Sequence, residues 1–260
     1  MSRDLLHWRE WLAEAAGTAL LVLGGFSAVT LDFGLHSPVA SLVPSHSLRL
    51  LLTGALFAGS GSLVAISPLG RISGAHLNPV VSLAFWLNGK MHRHDVVAYM
   101  VAQCCGAIAG VAALRVAWPD FATVGFGVAR PGSFVPPVVA AMIEAGMTAL
   151  LVLTILTFVS RMRTARWTPL AVWVVVTVLV WQGAPFTGTS LNPARSLGPA
   201  VVSGNFQNLW IYVVGPTTGS LLATFLAMTA IGIRPVTAKL FHDSRYRSIF
   251  MHEPAGTSAR

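Results

Sequence analysis

The chain has 260 residues, of which 54% are hydrophobic and 10% are charged, and it carries a formal net charge of +8. Because an average soluble domain is about one quarter charged, this composition excludes an ordinary soluble domain and is typical of a protein embedded in a membrane. The length fits one membrane domain with two halves better than two soluble domains.

The apolar residues form six stretches long enough to cross a bilayer, which requires about 20 residues of helix. The predicted spans are residues 10–31, 48–67, 95–117, 137–160, 168–184 and 208–232. The first stretch is too long for the core of a signal peptide and lacks a convincing cleavage site, so we expect no cleaved leader.

Two shorter apolar runs, at 78–87 and 192–202, lie between the second and third spans and between the fifth and sixth. Each begins with an Asn-Pro pair, and proline suits the first turn of a helix because its missing N–H is not needed there. Each run is therefore predicted to be a half-helix that enters the membrane and returns. The expected fold is an all-α membrane protein of six transmembrane helices and two re-entrant half-helices.

The half-helices belong to two copies of one motif, SGAHLNPVVSLA at 73–84 and TGTSLNPARSLG at 187–198, which are identical at six of twelve positions. Glu14 in the first span and Glu144 in the fourth form another matched pair. Each half then crosses the membrane an odd number of times, which inverts the second copy relative to the first. We predict one membrane domain at 1–232, with repeat halves at about 1–118 and 137–232, followed by a basic tail at 233–260.

The basic residues are distributed unevenly between the two sides of the predicted membrane. Of 17 lysines and arginines, 13 fall on the side of the chain ends, three on the opposite side and Arg195 within the second half-helix. The positive-inside rule therefore places both termini in the cytoplasm of a multi-pass protein of the cell membrane. This topology also accounts for the net positive charge, so no nucleic-acid partner is expected.

Asn78 and Asn192 stand at the starts of the half-helices, where unpaired backbone N–H groups carry a partial charge of about +0.5. Two such ends meeting at the midplane oppose a cation or a hopping proton, while the side-chain amides can bind a passing oxygen atom. One Asn-Pro pair alone is most simply a helix cap. Two matched pairs in an inverted repeat indicate a solute site at the bilayer midplane.

Four other polar residues fall at membrane depth. Arg195 lies about one helical turn after Asn192, and a lone arginine there indicates function, since its donors can bind a hydroxyl and its charge repels cations. Glu14 and Glu144 either relay protons or accept hydrogen bonds from the irregular loops, and their matched positions favour the bracing role. His76 is interpreted as another bracing residue because no second metal ligand lies nearby in the sequence.

The two cysteines, Cys104 and Cys105, are adjacent in an apolar run and are interpreted as packing residues. The sequence contains no nucleophile–base pair and no metal-ligand cluster in the segments that form the predicted site. We therefore expect no enzymatic activity, no catalytic residue, no cofactor and no metal site.

The paired motifs resemble those of the aquaporin, or major intrinsic protein, family over roughly residues 10–232. The family's duplicated Asn-Pro-Ala box is similar to Asn78-Pro79-Val80 and Asn192-Pro193-Ala194, with Val80 in place of the usual alanine. The resemblance implies a right-handed helical bundle that assembles as a homotetramer with one pore per subunit. It also implies passive conduction without a cofactor.

The family's narrow filter, counted back from the asparagines without gaps, falls on Ala58, Val180, Thr189 and Arg195. Strict water channels of the family usually have a large aromatic residue at the first of these positions and histidine at the second. Ala58 and Val180 therefore predict a wider filter with an apolar wall. Alternatively, another side chain, from Phe57 or Phe186, fills the space that Ala58 leaves.

The Tyr212-Val213 pair before Gly215-Pro216 is similar to the nodulin-type branch of the family, which passes glycerol, urea and neutral metalloid acids such as boric and arsenous acid. The expected function is a passive channel for water and small uncharged solutes that excludes ions and protons. One alternative is a water-selective channel. A secondary transporter is an alternative of another class, since it also uses broken helices, although it requires titratable residues that this chain has only at Glu14, Glu144 and Arg195.

Overall fold

The computed structural model describes residues 6–241, and all regular structure in that range is helical. Six helices are long and apolar enough to cross a membrane, and two shorter ones lie between them. The eight helices are α1 (Trp8–Phe33), α2 (His46–Ile66), α3 (Pro79–Leu87), α4 (Arg93–Ala117), α5 (Pro137–Phe158), α6 (Thr168–Thr187), α7 (Pro193–Ser203) and α8 (Leu209–Leu226, extended by a π-helical turn at Ala227–Ile231). Short segments at Val39–Leu42, Pro68–Ser73, Pro119–Gly127 and Met162–Ala165 connect them. The predicted architecture of six spans and two half-helices is confirmed.

The helix bounds lie within three residues of the predicted ones at every end. The largest difference is at the end of α6, which continues through Pro185 to Thr187. Gly188 then ends the helix with a φ of +77°, a left-handed conformation that glycine adopts without steric cost. The predicted fifth span therefore ends three residues before the helix does.

Both half-helices begin at their Asn-Pro pairs, as predicted. Asn78 is extended, and its side-chain oxygen accepts a hydrogen bond from the N–H of Val80 at 3.1 Å. The side-chain oxygen of Asn192 accepts from the N–H groups of Ala194 at 3.0 Å and Arg195 at 3.3 Å. Each asparagine thus satisfies backbone donors that a helix start leaves unpaired.

The two halves repeat the same close helix packing. A Cβ atom added to Gly106 in α4 would lie 2.1 Å from the carbonyl oxygen of Ala15 in α1, and one added to Gly219 in α8 would lie 2.1 Å from that of Ala145 in α5. Small residues let backbones approach in this way and give membrane helices their van der Waals contact. The α1–α4 and α5–α8 pairs therefore form equivalent frames around the half-helices.

The C-terminal boundary of the domain differs from the prediction. We call the face at which α1 begins and α8 ends the terminal face. Residues 233–241, predicted to belong to a solvated tail, pack on this face, and Thr237, Ala238, Lys239 and Leu240 are all buried. Ala238 and Leu240 cover apolar core residues, which explains why a basic segment does not remain in water. The rest of the predicted tail, 242–260, and residues 1–5 lie outside the described range.

The segment between the halves is also more than a linker. Pro119–Gly127 forms a 3₁₀-type segment whose Phe121 side chain is fully buried against Phe26 and Phe126. Its end reaches the centre of the molecule, where the carbonyl of Gly127 contacts Arg195. This connection therefore contributes to the site described below.

We expect Gly106→Ala to destabilise the protein, because the added methyl group collides with the backbone of α1. Overpacking of this kind costs about 1–3 kcal/mol. The matched control is Gly146→Ala in α5, where an added Cβ meets no atom within 4 Å. Thermal unfolding in detergent, followed by tryptophan fluorescence, should show a lower midpoint for Gly106→Ala alone. Equal midpoints would contradict the close packing of α1 on α4.

Candidate functional site

Two buried carboxylates hold the loops that precede the half-helices. Glu14 accepts hydrogen bonds from the backbone N–H groups of His76 and Leu77, both at 2.8 Å. Glu144 accepts from the backbone N–H groups of Ser190 and Leu191, both at 2.9 Å. Both glutamate side chains are completely shielded from solvent. The structure therefore brings each glutamate onto the loop of its own half.

Each carboxylate has a third donor from a side chain. Gln103 Nε2 donates to Glu14 at 2.8 Å, and Thr187 Oγ1 donates to Glu144 at 2.7 Å. A carboxylate that accepts several hydrogen bonds can remain buried without a cationic partner. All three hydrogen bonds that each carboxylate accepts hold it against the loop or beside it. This geometry supports the bracing role and gives no support to a proton relay at either residue.

The braced loops have an unusual backbone. Ala75 and Leu77 in the first loop have φ values of +55° and +52°, and Thr189 and Leu191 in the second have values of +44° and +58°. Non-glycine residues in this left-handed region cost about 1–3 kcal/mol each and persist only where surrounding contacts impose them. The bonds to the two glutamates supply that constraint, so the loop shape and the buried charges depend on each other.

The two Asn-Pro starts face each other and are joined by reciprocal hydrogen bonds. Asn78 Nδ2 donates to the carbonyl of Leu191 at 2.9 Å, and Asn192 Nδ2 donates to the carbonyl of Leu77 at 2.8 Å. Both asparagines also line a cavity. Each amide group has two N–H donors, so one holds the opposite loop and the second is left to serve the cavity.

Two cavities lie along this line. The inner cavity, on the side of the terminal face, has a volume of about 100 Å³ and is lined by Asn78 and Asn192. The outer cavity, on the opposite side, has a volume of about 460 Å³ and is lined by Val180 and Thr189. Five residues line both cavities, and we call the region where the two cavities meet the passage: Phe57, Val176, Ser190, Leu191 and Arg195.

Arg195 is fixed at this passage by three contacts. Its Nη1 atom donates to the carbonyl of Gly127 at 3.2 Å. Its guanidinium carbon lies 4.8 Å from the ring centre of Phe26 and 5.7 Å from that of Phe57, within the range of cation–π attraction. A buried guanidinium held in this way presents its remaining N–H donors in a fixed direction.

The four predicted filter residues do not all line the same cavity. Val180 and Thr189 line the outer cavity, Ala58 lines the inner one and Arg195 lines both. Phe57, the neighbour of Ala58, contributes the aromatic wall at the passage. Phe57 is one of the two side chains that the alternative named for the space that Ala58 leaves.

Phe186, the other aromatic residue considered for that space, lies elsewhere. Its ring packs edge-on against Phe134 with 5.9 Å between centres, and the side chain is 42% exposed. The remaining motif residues, Pro79, Val80, Pro193 and Ala194, line neither cavity. They build the half-helix starts and do not form the walls of the cavities.

His76 has a role that the sequence pattern did not reveal. Its Nδ1 atom bonds Ser82 Oγ at 3.0 Å within its own half, and its Nε2 atom bonds the carbonyl of Ala238 at 2.7 Å. The N–H of Leu240 donates to the carbonyl of Gly74 at 3.0 Å, and the Leu240 side chain lines the inner cavity. The segment after α8 therefore narrows the end of the inner cavity at the terminal face.

One buried acidic residue near the outer cavity was missed because the predicted first span stopped at residue 31. Asp32, the penultimate residue of α1, is fully buried and accepts a hydrogen bond from Thr53 Oγ1 at 2.5 Å. Its backbone carbonyl accepts from Arg49 Nη1 at 3.0 Å. Thr53 lines the outer cavity, so Asp32 supports that wall from behind.

Fold and site together define a membrane protein whose centre is a passage between two cavities, framed by two half-helices. The sequence profile of the family described as "Major intrinsic protein" matches residues 1–227. The chain belongs to this family. It is accordingly a channel protein for water and small solutes and not an enzyme.

Several known proteins resemble the chain over most of its length. It is 35% identical to the lens fiber major intrinsic protein of Bos taurus, over 86% of this chain and 81% of that protein. It is 31% identical to glycerol uptake facilitator protein-like 6 of Lactiplantibacillus plantarum, over 84% of this chain and 96% of that protein. It is 33% identical to aquaporin NIP1-3 of Oryza sativa subsp. japonica, over 81% of this chain and 69% of that protein. The solved aquaglyceroporin from Plasmodium falciparum superposes with a TM-score of 0.70 over 87% of this chain and 97% of its own, at 20% identity, which shows the shared fold.

Because Leu240 lines the inner cavity, we expect Leu240→Ala to raise the water permeability of reconstituted protein by at least about twofold. The matched control is Leu226→Ala, at the same end of the molecule on the exposed surface of α8. Stopped-flow light scattering on proteoliposomes with equal protein content measures the change. Unchanged permeability in Leu240→Ala would show that this side chain does not restrict the passage.

Proposed function

We propose that this chain is a passive channel for small uncharged solutes, water included, that rejects ions and protons. The observation that carries the proposal is the passage between the two cavities, where the apolar side chains of Phe57 and Val176 lie beside the guanidinium of Arg195. A small polyol can lie with its carbon atoms on the aromatic face while its hydroxyl groups accept hydrogen bonds from Arg195. Glycerol, urea and neutral metalloid acids such as boric and arsenous acid have this chemistry.

The outer wall favours solutes larger than water. Val180, which lines the outer cavity, has neither a donor nor an acceptor, so it offers no hydrogen bond to a water molecule in a file. The cavity volume of about 460 Å³ leaves room for a solute to shed water before it meets Arg195. The names of a glycerol uptake facilitator-like relative and of a structurally similar aquaglyceroporin support the same class of solute.

A water-selective channel remains the alternative, and one observation favours it. Phe57, the neighbour of the residue that the gap-free count assigned to the filter, contributes an aromatic ring where the two cavities meet. The two functions differ in whether the passage beside Phe57 and Arg195 admits a carbon backbone. Relative permeability to water and glycerol therefore separates them.

Ion exclusion rests on the charges that face the passage. The starts of α3 and α7 meet through the reciprocal asparagine bonds, so two positive helix ends point at the same place. Arg195 adds a full positive charge, and a permeating cation would meet all three in a region of low dielectric constant. Neutral solutes are not opposed by this field.

We further propose that the protein lies in the cell membrane as a homotetramer with both termini in the cytoplasm. The excess of lysine and arginine on the terminal face supports this orientation. Many large apolar side chains, including Leu63, Val97 and Phe225, are exposed on the spanning helices and are available to lipid or to neighbouring subunits. Protease accessibility of the C-terminal tail in sealed vesicles tests the orientation, and mass measurement in detergent tests the assembly.

The main test compares the wild-type protein with Phe57→Ala and Phe186→Ala in proteoliposomes. The wild-type protein should pass glycerol down its gradient, and Phe57→Ala should increase glycerol flux several-fold, because the ring at the passage is removed. Phe186→Ala is the matched control, since its ring lines neither cavity. A wild-type protein that passes only water would support the alternative, and uphill glycerol movement driven by an ion gradient would exclude a passive channel.

Arg195→Ala is expected to admit protons or small cations, because it removes the charge at the passage while leaving the helix ends in place. The matched control is Arg130→Ala, since Arg130 lines the outer cavity but not the inner one. A pH-sensitive dye inside proteoliposomes measures the proton leak under an imposed gradient. A leak of the same size in both variants would contradict a special role for the charge of Arg195.

A further inference from the structure

Three side chains with metal-binding atoms meet on the terminal face, away from the pore. His7 directly precedes α1, while His94 and Asp95 lie in the first turn of α4. One ligand atom from each of the three lies within 4.8 Å of the others. His7 and Asp95 are 88 positions apart in the sequence, which explains why the sequence analysis predicted no metal site.

The separations within this His7–His94–Asp95 cluster fit metal coordination. His94 Nε2 lies 3.4 Å from Asp95 Oδ2, and His7 Nδ1 lies 3.0 Å from the same oxygen. In a tetrahedral zinc site with bonds of about 2.0–2.1 Å, neighbouring ligand atoms are about 3.4 Å apart. The first separation already has this value, and the second requires a shift of only a few tenths of an ångström.

One buried nitrogen atom of the cluster makes no hydrogen bond. Within the described residues, His94 Nε2 is buried and makes no hydrogen bond, although it lies 3.4 Å from Asp95 Oδ2. Buried polar atoms are rarely left in this state without an ion or a water molecule. A cation between His94 and Asp95 would satisfy this nitrogen.

The surroundings also orient the carboxylate and one imidazole. Trp11 Nε1 donates to Asp95 Oδ1 at 2.9 Å, and His7 Nδ1 lies 2.9 Å from that oxygen and 3.0 Å from Oδ2, so the carboxylate is held between Trp11 and the two histidines. The ring of His92 stacks on that of His94, with 5.5 Å between centres and 4° between planes. Hydrogen bonds and packing of this kind hold ligands in place in metal sites.

We propose that His7, His94 and Asp95 form a binding site for a divalent transition-metal ion of the zinc type. Two imidazoles and one carboxylate are the donors that zinc takes, and three protein ligands leave one position for water. Such an ion would tie the start of α1 to the start of α4 on the terminal face. The site is separate from the passage and does not depend on the identity of the solute.

The test is zinc titration of the full-length protein in detergent after removal of any polyhistidine tag, with a chromophoric zinc chelator as competitor. The wild-type protein should bind one zinc ion per chain more tightly than its His94→Gln variant, by at least about tenfold. His7→Gln should weaken binding in the same way, which covers the case in which one variant folds poorly. Zinc that binds elsewhere on the protein contributes equally to the wild-type protein and to both variants, so it does not affect the difference between them.

The matched control is His36→Gln. His36 also bonds a carboxylate, with its Nδ1 atom 2.9 Å from Asp120 Oδ1, but the described residues provide no third ligand there. This variant should bind zinc as the wild-type protein does, and cobalt added in place of zinc should give the visible absorption of a tetrahedral ion only when His94 is present. Equal zinc affinity of the wild-type protein, His7→Gln and His94→Gln would overturn the proposal, and so would an equal loss in His36→Gln.

Discussion

The bond between a buried carboxylate and two successive backbone N–H groups, made once by Glu14 and once by Glu144, is the constraint on which the rest of the structure depends. A buried charge is stable only if it is well hydrogen-bonded, and a left-handed loop persists only if its surroundings impose it. Each feature here supplies the condition that the other needs. The loops are therefore rigid enough to bring Asn78 and Asn192 together, although neither loop belongs to a regular element.

This arrangement explains how irregular backbone can exist at membrane depth. In lipid every backbone polar group needs a partner, so non-helical segments survive only when protein or a wet cavity satisfies them. The loops before α3 and α7 use both: their N–H groups bond the glutamates, and their residues line the two cavities. The same backbone that precedes the half-helices therefore also forms part of the walls of both cavities.

Periodicity and the duplicated motif predicted the helices and the pairing of Glu14 and Glu144 with their loops, because these features depend on local sequence and on symmetry. Which of Phe57 and Ala58 faces Arg195 could not be read from a gap-free count, since the direction of a side chain depends on how α2 is rotated in the bundle. The packing of Leu240 under the inner cavity was equally hidden, because it depends on contacts with residues more than 150 positions away. Contacts between distant segments are what the sequence pattern lacks.

The function follows from the places where the two halves differ. Position three after each asparagine is Val81 in the first half and Arg195 in the second, so one helix start is apolar where the other is charged. The residue before each Leu-Asn-Pro is His76 in the first half, bonded to the segment after α8, and Ser190 in the second, bonded to Ser196 at 2.5 Å. The symmetric residues build the frame and the asymmetric ones determine its use. Under the proposed function, selection is concentrated at Arg195, and the C-terminal segment lies at the end of the inner cavity through Leu240.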